Sequence, residues 1–471
     1  MPRRAPSERH APATPTTRRD LLLRAGAGFG ALPLLDLLRR DGSERKADAP
    51  PPRAKAVIWL FMYGGPSAID LFDPKPTLDR LDGNSPPAGV DTFFKDNGNL
   101  MRSPYRFRRH GQSGQWVASP YPALARVVDR LAFVKSVHCA SNNHAPALLH
   151  LNTGQPRVGF PSTGSWLSYG LGAESADLPG FVVMYDWRGG PIAGPQNWGA
   201  GFLPSEHQGV PLRTGGSPIL NLDPPPGVSR RAQRAQLELL AELNRAHADL
   251  HPAEPELEAR IKSYELAFRM QAAAPEAIDL RHESAETERL YGLDREVTRF
   301  FGTQCLIARR LVERGVRFVQ IYSGGGHQQE SWDAHFGLKP NHDLHCAETD
   351  VPMAGLIEDL HRRGLLDQTL VVWGGEFGRM PMSQGDNRGR DHNPQGFCMW
   401  FAGGGIRGGA SHGETDDIGL NAVVDPVSVN DVHATILHQL GIDHEQLTYL
   451  HNGRRFRLTD VAGQVIAPIL A

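Results

Sequence analysis

Short continuous apolar runs recur along the chain, separated by stretches with helical periodicity. Ala56 to Met62 reads AVIWLFM, and further runs fall within Arg130–Val137, Gly180–Tyr185, Val316–Tyr322, Thr369–Trp373 and Phe397–Ala402. Runs without polar alternation predict strands buried on both faces. Between them, Leu239, Leu243, Ala246 and Leu250, then Leu257, Ile261, Tyr264 and Phe268, recur at spacings of three and four. These predict two amphipathic helices, broken near Pro252 and Pro255, whose stripes serve packing. Further helices are predicted at Thr303–Arg314, ending at Gly315, and at Asp350–Arg363, ending at Gly364. Another spans Val432–Leu440, with Asp431 as its N-cap. Residues 83–120 and 155–228 read as loops, apart from the short strand near Gly180. Strands alternating with helices predict a mostly parallel central sheet covered on both faces, a three-layer α/β/α fold. One large domain over 50–471 is expected, with an insertion of loops and two helices at about 155–275.

Composition fits that picture. The chain has 471 residues, 40% hydrophobic and 22% charged, as a globular protein should. It has no apolar run long enough for a membrane span. Residues 17–24 read TRRDLLLR, and Ala25 to Leu35 carry no charge. A twin-arginine pair (Arg18, Arg19) before an apolar run resembles a Tat-type export signal, with residues 1–49 as signal and spacer. An amphipathic N-terminal helix is the other reading. The stretch Ala47-Asp48-Ala49 offers a small-residue cleavage site. Export by this route implies a periplasmic or extracellular destination. Removing the basic leader leaves an acidic remainder, which argues against generic nucleic-acid binding. Cys139, Cys305, Cys346 and Cys398 show no paired metal-binding spacing and are expected as small buried residues.

In parallel α/β sheets, ligands bind at the carboxyl ends of strands. Polar residues gather there in this sequence. Asp70 and Asp73 follow the first run. His138, Ser141, Asn142, Asn143 and His144 follow the second. His327, Asp333 and His335 follow VRFVQIY, Glu376 follows TLVVW, and Asp391-His392 precede the last run. Carboxylates and imidazoles converging from separate strands suit one or two divalent ions, Zn, Mn or Ca. Structural roles compete with this reading. Asp70 or Asp73 suits a helix cap, and Glu376 suits a cap or an ion pair with Arg379.

The stretches LFMYGGPSAIDLFDPKP, WDAH, GLLDQTLVVWGGEFGRMP, GRDHNPQGFCMWFAGGGIRGG and DVHATILHQLGIDHEQLTYLHNGRRFRLTD resemble the domain of unknown function 1501 family, over nearly all of residues 53–471. More widely, GLLDQTLVVWGGEFGR, FAGGGIRGG and SVNDVHATILHQLGI are similar to segments of the alkaline phosphatase and sulfatase superfamily. That resemblance implies an alkaline-phosphatase-like sheet with metal ligands at its strand ends. Three departures stand out. Glu376-Phe377 replaces the superfamily's Asp-His pair, and Tyr63-Gly64-Gly65 stands where an Asp would end the first strand. HAPALLHLNTG puts His144 in the sulfatase nucleophile slot, so a formylglycine sulfatase is disfavoured.

Two functions are therefore expected to compete. One is an exported metal-dependent hydrolase of small-molecule or glycan phosphate, sulfate or related esters. In it Asp333, His335, Glu376, Asp391 and His392, with Asp70 and Asp350, would hold the metal. His144 would act as ligand, base or nucleophile, Asn143 belongs beside it in the catalytic set, and Arg379 would steady an anionic substrate. The other is a catalytically degenerate binding or structural protein of the cell envelope. A redox role has little support, because the sequence holds no CxxCH, no iron–sulfur spacing and no GxGxxG after a strand.

Overall fold

The structure is a computed structural model. It describes residues 49–89, 97–213, 227–250, 255–326, 328–384 and 388–471. The Tat-like leader and His327 lie outside the described residues.

Among the described residues, the apolar runs and three two-residue strands form one nine-stranded sheet. Its strands are β1 (Ala56–Met62), β2 (Leu131–His138), β3 (Phe181–Met184), β4 (Val210–Pro211), β5 (Phe318–Ser323), β6 (Thr369–Gly374), β7 (Phe397–Ala402), β8 (Ser411–His412) and β9 (Val427–Ser428). The spatial order is β8-β2-β7-β6-β1-β5-β3-β4, with β9 also on β2. The pairings β1–β5, β1–β6, β3–β5, β3–β4, β2–β8 and β2–β9 are parallel; only β7 runs against its neighbours β2 and β6. As a result β7 begins at the same edge where β1, β5 and β6 end.

Among the described residues, seven longer helices accompany the sheet: α1 (His144–Thr153), α2 (Thr163–Leu171), α3 (Arg230–Leu250), α4 (Pro255–Ile278), α5 (Glu296–Glu313), α6 (Leu338–Arg362) and α7 (Val429–Gln439). The period of two in β1 decides the layers. Ile58, Leu60 and Met62 face a core shared with Leu306 and Leu311 of α5 and Leu356 and Leu360 of α6. Val57, Trp59 and Phe61 face the opposite core, with Leu148 of α1, Trp166 of α2 and Ile436 of α7. This is the expected α/β/α arrangement.

Several details differ from expectation. Helix α6 begins at Leu338, twelve positions before Asp350, and carries Pro352 inside it. Its polar first half hides the pattern, since His342 and His345 are fully buried. Helix α2 lies in a stretch expected to be loop, and Ser162 caps it. The N-cap of α7 is Ser428, with Asp431 three positions on as the reciprocal half of a capping box. The α3 stripe is not core, for Leu239 and Leu243 are more than half exposed. All four cysteines are buried and unpaired. Among the described residues, no helix is long and apolar enough to cross a membrane.

Candidate metal centre

Four strand ends build the site. At the end of β1 the chain turns through Tyr63, Gly64 and Gly65. Gly64 adopts φ +109°, and a Cβ there would sit 2.5 Å from the Asp333 amide nitrogen. Only glycine fits both constraints. At the end of β6, a Cβ on Gly375 would approach the Met62 carbonyl oxygen to 2.6 Å. The two glycine turns thus nest against each other, which brings Glu376 and the loop bearing Asp333 together. Helix α1 starts beyond β2 with Asn143 as N-cap, its side-chain oxygen accepting from the Ala145 N–H, and His144 is the first helical residue. The segment Asp391-His392 arrives at the start of β7.

His144, Asp333, His335 and His392 each present one ligand-type atom, and these four atoms lie within 4.8 Å of one another. Asp333 Oδ1 lies 2.9 Å from His335 Nε2 and 3.1 Å from His392 Nε2. Its Oδ2 lies 3.2 Å from His144 Nε2, and the His335 and His392 Nε2 atoms are 2.8 Å apart. His335 is half-buried, while the other three are buried.

The outer nitrogens explain why these four atoms converge. His144 Nδ1–H donates to Glu376 Oε1 at 2.7 Å, and that carboxylate also accepts from the Gly64 N–H. His392 Nδ1–H donates to the Asn142 carbonyl at 2.6 Å. His335 Nδ1 faces the Gln384 side-chain oxygen. Carbonyl and carboxylate oxygens are acceptors, so each Nδ1 carries the proton. In neutral rings that leaves three Nε2 lone pairs aimed at one another and at a carboxylate. His144 Nε2 is buried and, despite the 3.2 Å approach of Asp333, makes no aligned hydrogen bond. Lone pairs so placed repel unless a proton or a cation lies among them. Imidazoles pinned at Nδ1 by oxygen acceptors are the arrangement that orients metal-ligating histidines.

The electrostatics point the same way. Burial opposes charge on His144, but Asp333 and Glu376 outweigh it and carry its pKa up to about 9. Burial, with Arg379 and His144 adding to it, pulls His392 down to about 3. Burial also opposes charge on Asp333, yet Arg379 and the three imidazoles hold it far below the usual carboxylate range. Without a metal, the cluster therefore keeps a proton on His144.

Not every expected residue reaches the cluster. Glu376 is fully buried and orients His144 instead of joining the four. Asp391 stands behind His335, its Oδ1 accepting from the His392 N–H at 2.7 Å and lying 3.9 Å from His335 Nδ1; its Oδ2 is buried without a partner. Arg379 is fully buried, with Nη2 2.8 Å from Asp333 Oδ1 and further bonds to the carbonyls of Gly64, Gly65, Trp332 and Arg390. Its guanidinium is turned inward onto these buried partners. Asp70 is held by Arg390 at 2.8 Å in a buried ion pair, and Asp73 by Lys75 and Thr415. Asp350 accepts from the Ala123 and Leu124 N–H groups, in a different part of the fold.

The sequence reading missed Gln384, the Asn142 carbonyl and Arg390. A backbone carbonyl leaves no signal in a sequence, and Gln384 ends a strand of three residues, Met382–Gln384, too short to show a period. Phe377 packs its ring 4.4 Å from that of His392 and 4.9 Å from that of His144. The site thus closes with an apolar wall on that side.

The model of the family described as protein of unknown function (DUF1501) matches residues 54–470, and the chain belongs to that family. No curated protein matches it by sequence. Among solved structures, the lipoteichoic acid synthase LtaP from Listeria monocytogenes is similar at 11% identity and TM-score 0.35, over 93% of this chain and 82% of that one. The PsFucS1 sulfatase from Pseudoalteromonas sp. is similar at 12% and 0.33, over 88% and 71%. The phosphonate monoester hydrolase SpPMH from Silicibacter pomeroyi is similar at 11% and 0.34, over 74% and 71%. At such scores no residue's role follows from the likeness.

Proposed function

We propose that this member of the family is an exported metal-dependent hydrolase of phosphate, sulfate or related esters, with His144, Asp333, His335 and His392 as the ligands of one divalent ion. The observation that supports this reading is the set of three Nδ1-anchored imidazoles whose Nε2 atoms converge on one carboxylate. Three nitrogens and one oxygen suit Zn or Mn and suit Ca poorly, because Ca takes oxygen ligands. A divalent ion there would supply Lewis acidity to an ester oxygen or to water. The protein's own groups do the rest. Glu376 fixes the orientation of His144, and Arg379 fixes that of Asp333. Phe377 keeps one side of the site dry. Burial pushes the Asp391 carboxyl up, which makes it a group able to hold a proton beside His335.

The purified full-length protein is expected to carry one Zn or Mn per chain by elemental analysis. It should hydrolyse an aryl phosphate or aryl sulfate, lose that activity to a chelator and regain it with the ion. Absence of a stoichiometric metal would overturn the reading. A second reading also has support from the site. His144, which fills the nucleophile slot, has Nδ1 committed to Glu376 and Nε2 aimed into the cluster, so it does not serve as a covalent nucleophile. A protein with stoichiometric metal and no hydrolysis of any ester would then be a binding or structural member of the cell envelope.

Metal uptake should also be linked to pH. His144 is raised to about 9, so at neutral pH the metal-free site holds a proton on the atom that must ligate. Binding then releases that proton. Apparent affinity for Mn is expected to rise about tenfold per pH unit from pH 7 and to level off near pH 9, which is about 1.4 kcal/mol per unit. Competition titrations with a chelator at several pH values, corrected for its own protonation, measure this slope. A flat profile would show that His144 holds no proton that metal binding must displace.

The export part of the proposal rests on Arg18 and Arg19. Changing both to Lys is expected to leave the protein in the cytoplasmic fraction. Unchanged export would remove the twin-arginine route.

A further inference from the structure

Asp350, which the sequence reading placed with the metal ligands, lines a cavity of about 930 Å³. The cavity lies between the 3-10 helix Leu124–Arg130, the short helix Ala285–Leu290, the first turn of α5 and the middle of α6. Its size falls within the range of small-molecule sites. None of the four candidate ligands lines it.

The charges around this cavity do not balance. Four arginines line it, Arg126, Arg289, Arg295 and Arg362, against Glu286, Asp350 and Glu358. Arg362 pairs with both glutamates, at 2.8 Å from Glu358 and 3.2 Å from Glu286, and Arg130 lies 3.8 Å from Glu358. Both Asp350 oxygens accept from the Ala123 and Leu124 N–H groups. Burial pushes Asp350 up to about 6, against the pull of those two N–H groups and of Arg126. Arg126, Arg289 and Arg295 are exposed, and their guanidinium groups have no ion pair among the described residues. Three cations without an ion pair therefore share one concave surface, with Arg126 near enough to Asp350 to favour its charged form.

The start of α5 adds a second, independent sign. This helix is 18 residues long, and Arg295 occupies its N-cap with no side-chain hydrogen bond to the first turn. A cation is the wrong charge for the positive end of a helix, and an acceptor is the residue normally found there. Glu296 is the acidic residue of that turn. The next residue, Val297, is 46% exposed and lines the cavity beside Leu290 and Val351. A cation at the cap and an exposed apolar side chain beside it are both accounted for by one kind of ligand, an anion with a carbon body.

We infer that this cavity binds a small organic anion carrying two or more phosphate or sulfate groups. Arg126, Arg289 and Arg295 would take the charged groups, and Leu290, Val297 and Val351 would contact the body between them. Arginine forks match the oxygens of both groups in paired hydrogen bonds. The inference does not rest on the hydrolase reading, because no residue of the metal centre takes part.

The test is calorimetric titration of the full-length, chelator-treated protein at low salt. Fructose 1,6-bisphosphate represents phosphate on a ring, and sucrose octasulfate represents sulfate. Saturable one-to-one binding of at least one probe is expected. The triple variant Arg126→Ala, Arg289→Ala, Arg295→Ala should weaken it at least about thirtyfold, since hydrogen bonds to charged groups are individually strong. A control triple variant of exposed arginines elsewhere, Arg157→Ala, Arg234→Ala, Arg455→Ala, should leave binding unchanged. Val297→Glu puts a negative charge into the cavity at a helix position that favours it, so this variant should fold and also bind more weakly. Failure of both probes to saturate the full-length protein would overturn the proposal. Undiminished binding in the Arg126/Arg289/Arg295 variant, or equal weakening in the control, would do the same.

Discussion

Asp333→Ala is expected to empty the metal centre. Asp333 is the one carboxylate among the four converging groups, and its two oxygens face His144, His335 and His392 together. It is also the anion nearest the buried Arg379 guanidinium, at 2.8 Å. Removing it leaves three neutral nitrogen donors and a nearby positive charge, which repels a cation. Loss of a group that merely orients a ligand costs about 10- to 100-fold in metal affinity. Loss of the ligand itself, with Arg379 left uncompensated, should exceed that range, so dialysed Asp333→Ala should retain almost no metal by elemental analysis. Asp333→Asn separates charge from shape. Its side-chain oxygen still accepts from Arg379, so it should keep the shape of the site, at some cost in stability from the unpaired guanidinium, while losing most of its metal. An Asn variant that keeps one ion per chain would place the metal elsewhere.

The fold was legible because burial on both faces writes itself into the sequence. The runs AVIWLFM and TLVVW needed no partner information to read as central strands, and β1 and β6 do pair, from Ala56 with Thr369 to Phe61 with Gly374. Helices with mixed faces were harder. In α6, His342 and His345 are buried through polar contacts, to the Ser67 N–H and the Glu348 carboxylate, so an apolar period is missing where the packing is tight. At the site, the sequence located the strand ends but could not rank the polar residues on them. Asp70, Asp333 and Glu376 look alike in one dimension. What separates them is the nearest partner: Arg390 neutralises Asp70, a backbone N–H and His144 occupy Glu376, and three imidazoles surround Asp333. Those partners come from residues far along the chain, so no local pattern announces them. The same limit applies to Arg379, whose role is set by burial and not by its place after a glycine turn.

Arg379→Met should destabilise the protein by about 3–5 kcal/mol, the range for removing one partner of a buried ion pair. The guanidinium does more than pair with Asp333. It bonds the carbonyls of Gly64 and Gly65 at the end of β1, Trp332 beside Asp333, and Arg390 before Asp391. One planar group thus ties together three of the segments that form the candidate metal centre. Methionine fills much of the volume but leaves those carbonyls and a buried carboxylate without a donor, and each unmet group carries a desolvation cost. Lysine at 379 keeps the charge but lacks the fork, so it should recover only part of the loss. Urea unfolding of the metal-free protein measures this term directly. Adding Zn or Mn then gives a second measurement. A cation beside Asp333 replaces part of the missing positive charge, so the metal should raise the stability of Arg379→Met by more than it raises that of the parent. If Arg379→Met unfolds at the parent's urea concentration, the guanidinium is not what holds the strand ends together. If the metal stabilises both proteins equally, Arg379 and the ion do not share Asp333.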